Sequence, residues 1–177
     1  MDNRSVLRTA GIAGLFAAAA AALAGGAAAP VAVPGRTLAV TGHGVDLANG
    51  AIVYSKTPTA EGFVQQSTEI VELEGDLHGR VLYQVTSRFD ELHKRLVNTG
   101  HQVYSGTISG SGPVMLYDDR FHFQADLVSG AESGSVFLVH HLAGPQAACT
   151  LKVIGTGQDG QGNPTFTYHG ECTLPAG

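Results

Sequence analysis

The stretch that decides the fold is residues 149 to 172, CTLKVIGTGQDGQGNPTFTYHGEC. Pairing Cys149 with Cys172 across a hairpin fixes the register of both strands, because residues two apart on a strand share a face. Almost the whole cysteine face is then apolar, and the residues that oppose each other are Leu151 and Gly170, Val153 and Tyr168, and Gly155 and Phe166. One register thus accounts for a disulfide and for a buried face, while two free buried thiols remain the alternative.

Strand signals recur along the rest of the chain. Runs such as T-E-I-V-E-L-E, R-V-L-Y-Q-V-T-S-R-F and S-V-F-L-V-H-H-L are rich in β-branched and aromatic residues, and turn residues separate them. The single helical candidate is D-E-L-H-K-R-L-V at 90–97. About eight or nine short strands predict an all-β fold, either an antiparallel sandwich or a closed antiparallel barrel of about eight strands.

The N-terminus predicts export. Arg4 and Arg8 precede a long Ala-rich apolar run, and small residues follow it, in the order of a secretory signal peptide. We expect residues 1–29 to be the signal peptide, with cleavage between Ala24 and Ala32, and residues 30–177 to be one secreted or extracytoplasmic domain. An N-terminal membrane anchor is the alternative, but the run has few Leu, Ile or Phe residues.

Charge limits the classes of partner. The formal net charge is −5 and charged residues make up 14% of the chain. Lys and Arg form no cluster, so nucleic acid and anionic membrane surfaces are not expected partners. The domain is expected to be a monomer or a dimer.

No motif in the sequence predicts a cofactor-binding or metal-binding site. G-T-G-Q-D-G at 155–160 matches a dinucleotide fingerprint formally, but turn and strand residues follow it where a helix N-terminus is needed. The neighbours His140 and His141 would point to opposite faces of a strand, so they are poorly placed to share a metal ion. We therefore expect no cofactor and no metal, and one of these two imidazoles is expected in the interior as a core group or a general acid/base.

The hairpin at 71–83, VELEGDLHGRVLY, places polar groups inside the predicted barrel. A three-residue turn at 76–78, closed by Gly79, would set Glu74 opposite Arg80 on the outer face. The inner face then carries Val71, Leu73, Val81 and Tyr83, with Glu69 near a barrel mouth. The ordinary alternatives are a solvated rim carboxylate for Glu69 and simple packing for Tyr83.

This hairpin and its continuation Q-V-T-S-R-F resemble the allene oxide cyclase-like barrel group, which includes small bacterial barrel domains of unknown function. The resemblance is most specific over residues 69–89. It implies a calycin-like, eight-stranded antiparallel barrel with an apolar cavity. Members with known activity are cyclases of fatty-acid epoxides, and related bacterial barrels close polyketide rings.

The sequence therefore predicts an exported barrel that binds a small hydrophobic molecule, with isomerase or cyclase activity possible in principle. The residues expected around the ligand are Val71, Leu73, Val85, Phe121, Phe123 and Tyr168, and the catalytic candidates are Tyr83, Glu69 and His140. One alternative is a true cyclase acting on a polyketide or fatty-acid-derived substrate. The other is a structural or protein-interaction domain whose core is filled.

Overall fold

The computed structural model describes residues 35–176, which form strands almost throughout. The strands are β1 (Gly35–Asp46), β2 (Ile52–Pro58), β3 (Gly62–Gly75), β4 (Leu77–Asp90), β5 (Arg95–Ile108), β6 (Val114–Asp126), β7 (Glu132–Leu138), β8 (His140–Ala143), β9 (Ala148–Gln158) and β10 (Pro164–Pro175). A short 3₁₀ helix at Ala48–Gly50 lies between β1 and β2. The predicted signal peptide and cleavage region lie outside the described residues. Between residues 35 and 176, no helix is long and apolar enough to cross a membrane.

Eight strands close into an antiparallel barrel, which confirms the predicted fold class. The order around the barrel is β1, β10, β9, β7, β6, β5, β4 and β3, and β3 pairs back with β1. Strand β3 makes this closure with its C-terminal half, from Val71 to Gly75, while its N-terminal half pairs with β2 outside the barrel. The other outside strand, β8, pairs with β6. Closure gives each barrel strand two hydrogen-bonded neighbours and leaves no exposed edge in the barrel itself.

Side chains alternate between the barrel interior and the solvent along each strand. On β4, Val81, Tyr83, Val85 and Ser87 are buried, whereas Leu82 between them is 54% exposed. Part of the interior is tightly packed, where the side chains of Leu77, Tyr104, Ile108 and Leu116 have no exposed surface. This region is packed as densely as an ordinary protein core. The rest of the interior is free to hold something other than side chains.

The disulfide and its hairpin register are confirmed. Cys149 and Cys172 are bonded, both are buried, and they stand directly opposite each other on β9 and β10. The three pairs predicted from this register, Leu151 with Gly170, Val153 with Tyr168, and Gly155 with Phe166, are all present. The bridge joins two neighbouring barrel strands inside the hydrophobic core.

The register predicted for the 71–83 hairpin is wrong by two positions. Arg80 stands opposite Glu72 and not Glu74, and its guanidinium donates to the Glu72 carboxylate at 2.6 Å. Gly79 lies within β4 opposite Leu73, not in a turn. A shift of two preserves the assignment of faces, so Val71, Leu73, Val81 and Tyr83 still point inward, as predicted.

Tertiary contacts explain the different turn. The chain reverses at the single residue Asp76, after Gly75 with a φ of 110°. The Asp76 carboxylate accepts from the backbone N–H of Thr41 at 2.9 Å and from the hydroxyl of Ser109 at 3.1 Å. These partners lie 35 and 33 residues away along the chain, so the local sequence could not indicate them.

The helical candidate at 90–97 does not form a helix. Residues 91–94 form a turn, and β4 and β5 are already paired at Asp90 and Arg95. The Asp90 carboxylate accepts from the backbone N–H of His93 at 2.8 Å and holds the turn. Leu92, which would anchor the apolar face of the helix, is 70% exposed, so the strand pairing outweighs the short helical pattern.

Candidate ligand-binding cavity

The barrel encloses a cavity of about 270 Å³, and each of the eight barrel strands contributes to its wall. Most of the wall is apolar, from Val71, Leu73, Val81, Phe89, Leu96, Phe121, Phe123, Val136, Leu138, Leu151, Val153, Pro164, Phe166 and Tyr168. The polar wall residues are Asp46, Gln65, Glu69, Tyr83, Ser87, Asn98, Gln102, Glu132 and Thr165. A filled core, one of the alternatives drawn from the sequence, is thus not what the described residues form, because Phe121, Phe123, Phe166 and Tyr168 surround open space.

Five of the six predicted ligand contacts line this cavity. They are Val71, Leu73, Phe121, Phe123 and Tyr168. Val85 also points inward, but it is packed in the hydrophobic core and does not line the cavity. The sequence signal behind these assignments was period-two alternation, which gives the face of a residue but not its height in the barrel.

Two predicted catalytic candidates meet in the cavity wall. The Tyr83 hydroxyl donates to the Glu69 carboxylate at 2.6 Å, and these residues face each other on β4 and β3. The Ser67 hydroxyl donates to the other Glu69 oxygen, also at 2.6 Å. Both carboxylate oxygens of Glu69 are therefore held, so the position of the acid is fixed by its neighbours.

A third group, Asp46 from the end of β1, completes this cluster. Its carboxyl lies 3.0 Å from the Tyr83 hydroxyl. A phenol has one hydrogen, and the shorter contact directs it to Glu69. The Asp46 contact is satisfied when the carboxyl itself is protonated and donates to the phenol oxygen. The arrangement Asp46, Tyr83, Glu69 is then a directed chain of hydrogen bonds.

Burial and charge favour the protonated form of Asp46. Desolvation, together with the negative charge of Glu69, raises the pKa of Asp46 from 3.8 to about 7. Burial and the two adjacent carboxyls also raise the pKa of Tyr83 well above its usual value, so the phenol keeps its proton. Near neutral pH the Asp46 carboxyl is therefore close to its titration midpoint and can both hold and release a proton.

His140 does not join the cluster. Its side chain is 52% exposed and lies 3.4 Å from the Asp119 carboxylate. His141 contacts the carbonyl of Gly144 at 2.9 Å, and neither imidazole lines the cavity. Strand β8, which carries both residues, pairs outside the barrel, so the expectation of an interior histidine at this position is wrong. Across residues 35–176, no group of three or more His, Cys, Asp or Glu side chains is arranged to hold a metal ion.

Sequence reasoning missed Asp46, Ser67, Asn98 and Glu132. Asp46 could have been found, because Val40, Gly42, Gly44 and Asp46 alternate along β1 and the first is buried. The glycines obscure this pattern, yet they are needed: a Cβ at Gly44 would collide with the Phe166 ring. Small residues opposite large aromatic ones on neighbouring strands were the available signal.

No protein-family model matches this chain, and no curated protein or solved structure is significantly similar to it. The closed eight-stranded barrel is compatible with the calycin-like fold that the sequence resemblance implies. Membership of the allene oxide cyclase-like group stays a prediction.

Proposed function

We propose that this protein binds one small, largely apolar molecule inside the barrel. The observation that carries the proposal is the cavity of about 270 Å³ inside a barrel that also has a closely packed hydrophobic core. An apolar cavity of about 150 Å³ is enough to hold benzene, so this one has room for a molecule roughly twice that size. Side chains that filled the space would stabilise the fold by several kcal/mol, and leaving it open is typical of a ligand site.

A small neutral solvatochromic dye such as 4-(dimethylamino)benzonitrile, which has about twice as many non-hydrogen atoms as benzene, tests this proposal. Binding should raise and blue-shift its emission. Val153→Phe should reduce binding, since Val153 lines the cavity and the larger ring would occupy it. The matched control is Ile154→Phe on the same strand, where the side chain is 48% exposed and points outward. Equal dye binding by both variants would contradict the proposal, as would the absence of a co-purifying ligand in native mass spectrometry combined with no dye binding.

The hydrogen-bonded cluster favours a second function, acid/base isomerisation or ring closure of the bound molecule. Asp46 would pass its proton to a carbonyl or epoxide oxygen while the Glu69 side chain takes a proton from carbon, so that the substrate neither gains nor loses atoms. The cavity itself would fold a flexible substrate into its reactive shape. Glu69→Gln should abolish exchange of solvent deuterium into a bound cyclic ketone while leaving its binding intact. Unchanged exchange would leave binding as the proposed function.

We also propose that the protein works outside the cytoplasm. The buried disulfide supports this, since structural disulfides persist in oxidising compartments. Expression of the full chain with its own N-terminus should give a secreted form whose first residue lies between Ala24 and Ala32. Intracellular, uncleaved protein would contradict the proposal.

A further inference from the structure

Two buried side-chain oxygens lack a hydrogen-bond partner, among the described residues, and both belong to the cavity wall. They are Oδ1 of Asp46 and Oδ1 of Asn98. Buried polar atoms are nearly always paired, because an unsatisfied one costs about 1–3 kcal/mol. Both atoms are oxygens that can accept a hydrogen bond. Each of the two therefore lacks a donor, and the cavity is the open space that both side chains line.

The charge of the wall has a single sign. Asp46, Glu69 and Glu132 line the cavity, and no Lys or Arg is found among the described residues that surround it. Glu132 is half-buried, and this burial raises the pKa of its carboxyl. The hydrogen bonds of Asp46 and Glu69 go to Tyr83 and Ser67, and within residues 35–176 neither acid forms an ion pair with Lys, Arg or His.

We propose that the preferred ligand is an amphiphile with a protonated amine, its ammonium group at Asp46 and Glu69 and its apolar part against the aromatic wall. This inference rests on the proposed binding function and names the class of molecule. An ammonium supplies several donors and a positive charge at once, which matches the unpartnered Oδ1 of Asp46 and the carboxylate of Glu69 beside it. Tyr83 and Phe121, packed edge to face with ring centroids 5.6 Å apart, provide an adjoining apolar surface.

The same wall disfavours fatty acids. A carboxylate head group beside Glu69 would meet a like charge in a poorly solvated space, and it could donate nothing to the unpartnered oxygens. A ligand without a carboxylate head group therefore differs from the fatty-acid-derived substrates that the sequence resemblance suggested.

Three ligands of equal chain length test the inference: decylamine, decanol and decanoate, each titrated against bound 4-(dimethylamino)benzonitrile near neutral pH and below micellar concentrations. Decylamine is fully protonated there, by analogy with lysine. We expect it to bind at least about tenfold more tightly than decanoate, with decanol between them. Glu69→Gln should remove most of this preference. Glu74→Gln is the matched control, because it removes the same charge from a side chain that is 66% exposed and outside the cavity.

The outcomes separate the two proposals. If neither 4-(dimethylamino)benzonitrile nor any of the three ligands binds, the proposed binding function fails. If the dye and the ligands bind but the affinity for decanoate equals or exceeds the affinity for decylamine, the binding function stands and the inference about the amine is overturned. A preference for decylamine that Glu74→Gln reduces as much as Glu69→Gln would also overturn it, because net charge alone would then be the cause.

Discussion

Replacing Asp46 by Asn should change how the stability of the barrel depends on pH. The substitution keeps the shape of the side chain, and the amide N–H can donate to the Tyr83 oxygen as the protonated carboxyl does. The amide would thus act as a permanently neutral substitute for the carboxyl. The Asp46→Asn variant tests whether the buried cluster carries a proton between Asp46 and Tyr83.

The sign and size follow from the raised pKa. The pKa of Asp46 is about 7 in the folded barrel and near 3.8 when the chain is unfolded, so the folded state holds the proton more tightly. The stabilisation is fully present below pH 3.8 and is lost as the pH rises through about 7. At 1.36 kcal/mol per pH unit, the difference corresponds to at most about 4 kcal/mol. We expect the wild type to lose stability across this window relative to Asp46→Asn, which becomes the more stable protein at mildly alkaline pH.

Urea unfolding at pH values from about 4 to about 8, followed by far-ultraviolet circular dichroism, measures this difference. Glu132, whose pKa is also raised, is present in both proteins, as are Glu69 and Tyr83. Their direct contributions to the free energy of unfolding therefore cancel to first order in the comparison. Glu171→Gln controls for the loss of an exposed carboxylate on the outer face. Parallel stability curves for wild type and Asp46→Asn would refute the reasoning, because Asp46 would then titrate alike in the folded and unfolded chain.

Three further predictions concern the scaffold, and each is measured by urea unfolding. Replacing both Cys149 and Cys172 by Ala should lower the free energy of unfolding by about 3 kcal/mol, given the loop that the bridge closes, and non-reducing peptide mapping of the wild type should show the two residues linked. Gly42→Ala should cost about 2 kcal/mol, because a Cβ there collides with the Glu74 carbonyl and the Tyr168 hydroxyl; Gly112→Ala, with its nearest atom 3.6 Å away, should change stability by less than about 0.5 kcal/mol. Tyr168→Phe should cost about 2 kcal/mol, because the buried N–H of Leu77 loses its 2.8 Å hydrogen bond to the Tyr168 hydroxyl. Tyr117→Phe loses only an exposed contact with His101 and should cost much less. Equal losses for the two glycine variants, or for the two tyrosine variants, would contradict the packing described.

Much of the scaffold could be predicted because it depends on local sequence patterns. Alternation along β9 and β10 gave the correct register, since Cys149 and Cys172 fix one pair and the pleat fixes the others. The inward face of β4, including Tyr83, followed from the same rule. The register of the 71–83 hairpin was missed because Asp76 is held by Thr41 and Ser109, which are distant in sequence.

The candidate site was only half predictable for a related reason. Alternation identified Glu69 and Tyr83 as inward, but their meeting with Asp46 depends on how β1 and β3 close the barrel. His140 was misplaced because its strand pairs outside the barrel, and alternation within a strand cannot show which side of a sheet becomes the interior.

The amino-acid sequence by itself thus determined the strands, the cysteine pair and which residues share a face, because these depend on a two-residue period and on turn chemistry. Only the tertiary structure decided that the interior is packed in one region and open in another. It also brought Asp46, Glu69 and Tyr83 within hydrogen-bond reach and so raised the pKa of Asp46. Burial and the approach of like charges are properties of the closed barrel, and no local pattern in the chain contains them.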